Sequence, residues 1–577
     1  MSFHSLVEAM RAAVSGRTLH YGLVGLFFSP YLAAESRIEE VIVTAQKREQ
    51  SIQSLGISVQ ALTHEEIAAR GLNQASDILD QFANVSRNAA NGINAGYTIR
   101  GVGTNNFHGN VARAVSVYND DVSLNNPYAG STSVFDLERI EVLRGPQNTL
   151  FGRNAIGGAV SYISRKPELD AGTQGYLSVD AGSFGFLQAE GAVGSDLSDT
   201  LATRLAFTST RRDGLFNNVA ANSDGEKLGR KSLDAGRVQL LFEPTDTASF
   251  LVKVHHHSHG GSSVSNKAIG LRDPNDPSQP CDTQRIAAGS DFQQSVNCVT
   301  ATGFNPSSDE WHQLADVSPA SQEVDVNGAT ITAIFDMANH IQLTSISAIE
   351  NTTVAFSEDL GAGDQLRFIA MQDAEFEQLS QEWRLTSPAD HSFRWIAGLY
   401  IFDENMRQNT NARRVQISNG APITAYNILD QDEQDYSVYA QTDYDLTAAT
   451  SLTLGLRYTE NRKSADSLFG VVRTPEADYP ATTFIDQTIV TALTGDSPGQ
   501  CPPPVGGIPC TTDLGRIRQY TDELGHNLRV SHQATRDLLL YGSYSHGFKS
   551  GGFDTRALAA FAGTANTPVK PEYLDAV

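Results

Sequence analysis

Four histidines fall within five residues, His255-His256-His257-Ser258-His259. Neutral imidazole binds zinc or copper, and on an extended strand His255, His257 and His259 share one face. The same rings would also serve as a polar rim in contact with water. Four cysteines form two close pairs, Cys281 with Cys298 and Cys501 with Cys510, each in a stretch rich in Pro, Gly, Asp or Ser. No His or Cys cluster lies beside either pair, so metal ligation there is disfavoured. Ser, His and Asp are otherwise scattered, with no nucleophile elbow, phosphate loop or paired-carboxylate pocket. Enzymatic chemistry is not expected, and no cofactor is implied.

The elements that position these residues are mostly strands. Leu201, Thr203, Leu205 and Phe207 alternate with Ala202, Arg204, Ala206 and Thr208; Leu452, Leu454, Leu456 and Tyr458 alternate with Thr453, Gly455, Arg457 and Thr459. That is period two with one apolar and one polar face. Short connections fall near Ser195–Asp199, Glu243–Thr247, Ser387–His391 and Thr447–Thr450. Long ones fall near Asp213–Lys231, Gly260–Ser321, Asn405–Glu433 and Arg462–Gln519. Short turns on one rim and long loops on the other are the pattern of an outer-membrane barrel, whose tilted strands need about ten residues each. About thirteen strands are counted this way, the last near Leu538–His546. An open sheet of that size leaves two edges in lipid, so the chain is expected to be a fragment lacking later strands of a barrel of about 22.

At 577 residues the chain exceeds one ordinary domain. Its net charge of −24 argues against nucleic acid, whose phosphates call for Lys and Arg. No apolar run reaches the length of a membrane helix, which leaves strands as the means of crossing. Residues 1–34 read as a signal peptide: Arg11 and Arg17, an apolar run from Tyr21 to Leu32, then Ala33-Ala34. In an exported chain the cysteine pairs are expected to close loops as disulfides, the alternative being free surface thiols.

Between these regions lies FDLERIEVLRGPQNTLFGRNAIGGAVSYISRKP, Phe135 to Pro167. Ile140, Val142 and Leu143 make a strand ended by Arg144-Gly145-Pro146. Gly152, Gly157 and Gly158 allow backbone approaches that a side chain would block. Upstream, Thr63 and Glu66 form a capping box that opens a helix ended by Gly71, with a second helix at 76–82. Val115 to Val122 reads as one strand. A short β-branched stretch, Ile38 to Ala45, reads by itself as an edge strand.

IEVLRGP, LFGRNAIGGAV and the upstream Ile99-Arg100-Gly101 resemble the plug domain of TonB-dependent outer-membrane receptors. The resemblance runs over nearly all of residues 38–577. It implies a transmembrane antiparallel β-barrel (169–577) around a mixed α/β plug (51–168), preceded by a TonB-box segment (35–50). Glu40, Val41, Ile42, Val43, Thr44 and Ala45 would be the box, an extended segment able to add to a partner's sheet edge. The plug motif comprises Arg100, Gly101, Glu141, Arg144, Gly145, Pro146, Gly152, Arg153, Gly157 and Gly158. Of these, Arg100, Glu141 and Arg144 are the plug charges singled out; the resemblance implies that charges at these motifs pair with carboxylates on the barrel wall, with Glu382 the candidate partner. Asp121 departs from the family pattern, which has glycine there. The implied partners are TonB with its inner-membrane energising complex, outer-membrane lipid and lipopolysaccharide, and a nutrient, foremost a ferric siderophore. Cobalamin, haem or a plant-derived or aromatic oligomer is the second reading, and a passive porin the third.

Overall fold

The computed structural model describes residues 41–72, 75–88, 96–104, 106, 108–129, 134–218, 227–262, 272–281, 298–299, 312–313, 321–359, 369–415, 423–472, 511–553 and 568–577. The expected signal peptide, Glu40, Cys501 and Cys510 lie outside the described residues. No described helix is long and apolar enough to cross a membrane.

The first ten strands comprise a short pair ahead of the plug, β1 and β2, and the eight strands of the plug itself. They are β1 (Ile42–Val43), β2 (Gln50–Ser51), β3 (Val59–Thr63), β4 (Val85–Asn88), β5 (Gly96–Ile99), β6 (Val102–Gly103), β7 (Val115–Asn119), β8 (Val122–Ser123), β9 (Leu137–Arg144) and β10 (Gly158–Ser164). Five of them form one mixed sheet in the order β3-β9-β10-β7-β8, with β10 parallel to β7. The capping box closes as expected: Glu66 N donates to Thr63 Oγ1, and Thr63 N to Glu66, opening the helix His64–Ala69. Ile78, Leu79, Phe82, Ile99, Ile140, Val142 and Val160 make the buried centre. Gly158 makes a close backbone approach, because a Cβ there would lie 2.1 Å from the Leu143 carbonyl oxygen.

The later strands are β11 (Gln174–Ala181), β12 (Leu187–Ser198), β13 (Leu201–Arg212), β14 (Phe216–Asn218), β15 (Lys227–Leu228), β16 (Lys231–Thr245), β17 (Ala248–Gly261), β18 (His312–Gln313), β19 (Ser321–Asp336) and β20 (Gln342–Asp359). They continue as β21 (Ile369–Thr386), β22 (Phe393–Val415), β23 (Ile423–Thr447), β24 (Thr450–Val472), β25 (Thr511–Thr535), β26 (Leu538–Lys549), β27 (Gly552–Phe553), β28 (Pro568–Val569) and β29 (Glu572–Ala576). Fourteen form a single antiparallel sheet in chain order, from β11 to β29, with β14, β15, β18, β27 and β28 set aside in the connections. This sheet is the wall.

Period-two patterning holds along it. Leu205, Phe207, Val238, Val254, Leu454, Leu456 and Tyr458 are exposed, whereas Arg204, Thr208, Gln239, Lys253, Arg457 and Thr459 are buried against the plug. Aromatic rings mark the short-turn rim: Phe250 lies 6.3 Å from Phe242 and 5.5 Å from Phe335, and Phe393 lies 6.4 Å from Tyr444. This is the interfacial girdle of a membrane barrel, and the rim of short turns is the periplasmic one.

Three expectations need correction. Asn405–Glu433 is largely strand, and so are the described ends of Arg462–Gln519, 462–472 and 511–519: β22 to β25 run 23 or 25 residues, far beyond the membrane requirement. Beyond the apolar band polar and apolar residues mix along these strands, so the period-two pattern fades while backbone pairing continues. The count of thirteen holds to β26, but a fourteenth strand, β29, pairs with it through His546 and Asp575. Val115–Val122 is a hairpin, β7 and β8, turning at Asp120-Asp121.

Candidate functional site

The segment expected to be the TonB box is folded back on itself. Ile42 and Val43 pair with Ser51 and Gln50, so the strand is a two-residue hairpin with Val43 fully buried and Ile42 exposed. Thr44 N donates to Glu141 Oε1 at 2.8 Å; Arg139 Nε donates to the same oxygen at 2.8 Å, and its Nη2 to Thr44 Oγ1 at 3.1 Å. Lys47 enters the interior, with Nζ 2.8 Å from Asp121 and 4.9 and 4.7 Å from the ring centres of Tyr118 and Phe151. Arg48 donates to the carbonyls of Ser387 and Trp395 on the wall. Thr44, Lys47 and Arg48 therefore fasten this segment to plug and wall together.

The hairpin turn explains the unexpected aspartate. Asp120 and Asp121 have φ of +48° and +69°, as a two-residue type I′ turn requires at both central positions. Glycine would fit at lower backbone cost. Aspartate is used because each carboxylate meets a cation: Lys253 Nζ lies 2.7 Å from Asp120, and Lys47 and Arg384 lie 2.8 and 3.1 Å from Asp121. Burial alone would raise both carboxyls. Lys253 and Arg237 hold Asp120 well below the ordinary carboxylate range, and Lys47 and Arg384 do the same for Asp121.

Two further ion-pair nodes tie plug to wall. Asp136, fully buried, receives Arg204 from β13 and Arg237 from β16, the latter at 3.0 Å. Arg153 reaches Glu433 at 3.1 Å and Asp435 at 2.9 Å on β23, with its guanidinium 4.9 Å from the Phe402 ring centre. Beside it, Gly152 has φ of +69°, and a Cβ there would lie 3.1 Å from Arg457. Asn148 and Asn154 hold the 548–553 loop: Asn148 Nδ2 and Asn154 N donate to the Phe548 carbonyl, and Ser550 N donates to Asn154 Oδ1 at 2.9 Å.

Several sequence expectations are corrected here. Arg100 donates to Ser58 Oγ, and Arg144 to the Ala83 carbonyl and Gln60, all within the plug. Neither meets a wall carboxylate, because β9 ends with Arg144 turned toward β3. Burial and then the Arg100 charge hold Arg144 below its ordinary value. Glu141 serves the box segment. Glu382 accepts from Tyr439 and lies 3.5 Å from Arg384, so it reaches the plug only through the Arg384–Asp121 pair. The wall partners that matter are Lys253, Arg204, Arg237, Arg384, Glu433 and Asp435. Their charges were visible in the sequence; which plug residue each meets was not.

The histidine row does not converge. His255 Nε2 lies 3.0 Å from Glu350, His256 points outward to Asn327 at 2.8 Å, and His257 is buried with neither ring nitrogen hydrogen-bonded. Among the described residues no three His, Cys, Asp or Glu side chains are placed to hold a metal. Alternate side chains on a strand stand roughly 7 Å apart, so three imidazoles in a row cannot reach one ion. Cys281 and Cys298 form a disulfide, Cα atoms 5.9 Å apart.

A membrane-spanning antiparallel wall whose inner face is ion-paired to a mixed α/β plug defines an outer-membrane receptor of the plugged-barrel class. Residues 51–159 match the TonB-dependent Receptor Plug Domain, and residues 272–577 match the TonB dependent receptor-like, beta-barrel family. The chain belongs to the TonB-dependent receptors, proteins of the Gram-negative outer membrane. It is 30% identical over 205 residues to the vitamin B12 transporter BtuB of Vibrio vulnificus, covering 34% of this chain and 32% of that protein. It is 27% identical over 214 residues to the ferrichrome outer membrane transporter/phage receptor of Escherichia coli, 36% of this chain and 26% of that protein. The matched stretch thus spans about a third or less of these curated relatives. The ferric yersiniabactin uptake receptor FyuA from Yersinia pestis superposes with a TM-score of 0.67 at 16% identity, covering 90% of this chain and 68% of that one. The ferripyoverdine receptor of Pseudomonas aeruginosa gives 0.59 at 14%, covering 88% and 59%. These two likenesses are of fold.

Proposed function

We propose that this protein is a TonB-dependent active transporter that carries a scarce nutrient, foremost a ferric siderophore, across the outer membrane. The observation that carries this reading is the segment 42–48. It is a short strand at the periplasmic end, tied by Thr44 to Glu141 and by Lys47 to Asp121. An extended segment of this kind can be captured by strand addition, and a pull on it acts directly on the plug's hydrogen bonds and ion pairs. TonB, driven by the proton gradient through its inner-membrane complex, is the puller. The nutrient binds from outside, above the plug.

The ferric-siderophore reading draws on the family's commonest cargo. Cobalamin is the second reading, supported by the 30% identity to a vitamin B12 transporter. A porin would need no such clasp. Radioactive iron supplied as a chelate to chelator-starved cells tests the first reading. Accumulation that requires the protein and stops with a proton uncoupler supports it. Cobalamin accumulation with the same two dependences moves the cargo to the second reading.

A further inference from the structure

We propose that the outward face of the wall carries a lipid site. A groove across β13, β16, β17, β19 and β20 seats one acyl chain of an outer-leaflet glycolipid, and His256 and Asn327 bind the polar groups at the head of that chain. The site serves neither the cargo nor TonB, and it goes beyond the transport reading above.

The groove measures about 690 Å³ and lies on five strands paired in succession, inside the sheet rather than at either end. Cross-strand pairing sets two outward rows. Val238, Val254, Ala329 and Ile349 face one another along the lower row, and Gly236, His256, Asn327 and Asn351 along the upper. Gly236 and Ala329 are the low points, with Phe207 and Ile349, each about half-exposed, standing on the flanks. A Cβ at Gly236 would meet nothing nearer than the Ala206 carbonyl oxygen at 3.9 Å, so the hollow is open there. The change from apolar to polar recurs on β13, where Phe207 gives way to Ser209 and Arg211, and on β16, where Val238 gives way beyond Gly236 to Asp234. The groove therefore ends at the upper border of the apolar band, opposite the short-turn rim and in the outer leaflet.

An apolar hollow that faces lipid is filled by a lipid chain, because water there would find no polar partners along the floor. Bulk acyl chains are as apolar as leucine, so the floor alone gives one lipid little preference over another. The preference comes from the polar end. His256 Nδ1 donates to Asn327 Oδ1 at 2.8 Å. That bond leaves the imidazole Nε2 as an acceptor and the Asn327 amide nitrogen as a donor, side by side where the groove ends. An ester-linked phospholipid chain offers acceptors only. The amide-linked hydroxyacyl chain of lipid A offers a carbonyl for Asn327 and a hydroxyl for His256. Farther out on the same face stands the half-exposed guanidinium of Arg211, paired with Asp234, a cation suited to the phosphate of such a lipid.

Native mass spectrometry of the full chain in detergent tests the site, with lipid A and phosphatidylethanolamine added separately as probes. The expected result is a single lipid A bound at concentrations where phosphatidylethanolamine is not. Gly236→Phe fills the floor, and the double variant His256→Leu with Asn327→Leu removes the polar end while leaving the floor as it is. Each is expected to weaken lipid A binding roughly tenfold, as the loss of two hydrogen bonds or of the seat itself requires. Lipid A binding undiminished in either variant overturns the proposal. So does phosphatidylethanolamine binding as tightly as lipid A to the unsubstituted chain. Should the phenylalanine variant fail to assemble, the double variant, which adds no bulk to the floor, decides the matter by the same readout.

Discussion

Lys47 Nζ and Asp121 Oδ1 stand 2.8 Å apart, joining the segment that precedes the plug to the tightest turn inside it. Asp121 also receives Arg384 from the wall at 3.1 Å. A single carboxylate thus connects three parts of the molecule, the periplasmic segment, the plug and the wall, and holds a left-handed backbone conformation to do so.

That arrangement predicts a trade. Asp121→Gly relieves the strain of φ +69°, a gain of about 1 kcal/mol, and removes the carboxylate that Lys47 and Arg384 share. The variant is expected to assemble at normal abundance yet pass small hydrophilic dyes without TonB. Dye entry equal to that of the unsubstituted protein would show that the backbone, not the charge, keeps the turn closed.

Arg153 and Arg100 separate the locks observed from those expected of the motif. Removing Arg153 leaves Glu433 and Asp435 buried without it, a loss on the order of 3–5 kcal/mol for a broken buried pair. Arg153→Ala is expected to raise antibiotic and dye leakage strongly. Arg100→Ala loses one exposed hydrogen bond to Ser58 and should leave leakage unchanged. The reverse ranking would contradict the contacts described above.

The depressed carboxyls set a pH dependence. Asp120 and Asp121 titrate lower in the folded protein than in an unfolded chain, where aspartate lies near about 3.9. Their contribution is present above the unfolded value and is lost only as pH falls through the lower folded values. Dye leakage through the purified protein in vesicles should therefore stay level from neutral pH down to about 4 and rise below it. A rise centred between pH 5 and 6 would mean that other groups govern closure.

Much of the fold is legible in the sequence because it depends on local rules. The capping box at Thr63 and Glu66, the glycines that admit close backbone, and the outward apolar row on β24 each follow from neighbouring residues. The ion pairs do not. Asp136 meets arginines 68 and 101 positions away, and Arg153 meets Asp435 across 282. Such pairings depend on which wall strand faces which plug edge, and alternation in one strand carries no such information. Arg144 stands out in the motif, but it closes the plug's own edge. Lys47, in an unremarkable stretch, proves to be the anchor.

The most direct test of the account places a cysteine at Ile42, the exposed member of the buried-exposed pair Ile42 and Val43, and asks whether it cross-links to TonB in cells. The expected adduct depends on an energised inner membrane, increases when the nutrient is supplied, and disappears when Val43→Pro removes the strand that TonB would pair with. No adduct, or one that survives Val43→Pro undiminished, would contradict the claim that this segment is where the protein is pulled.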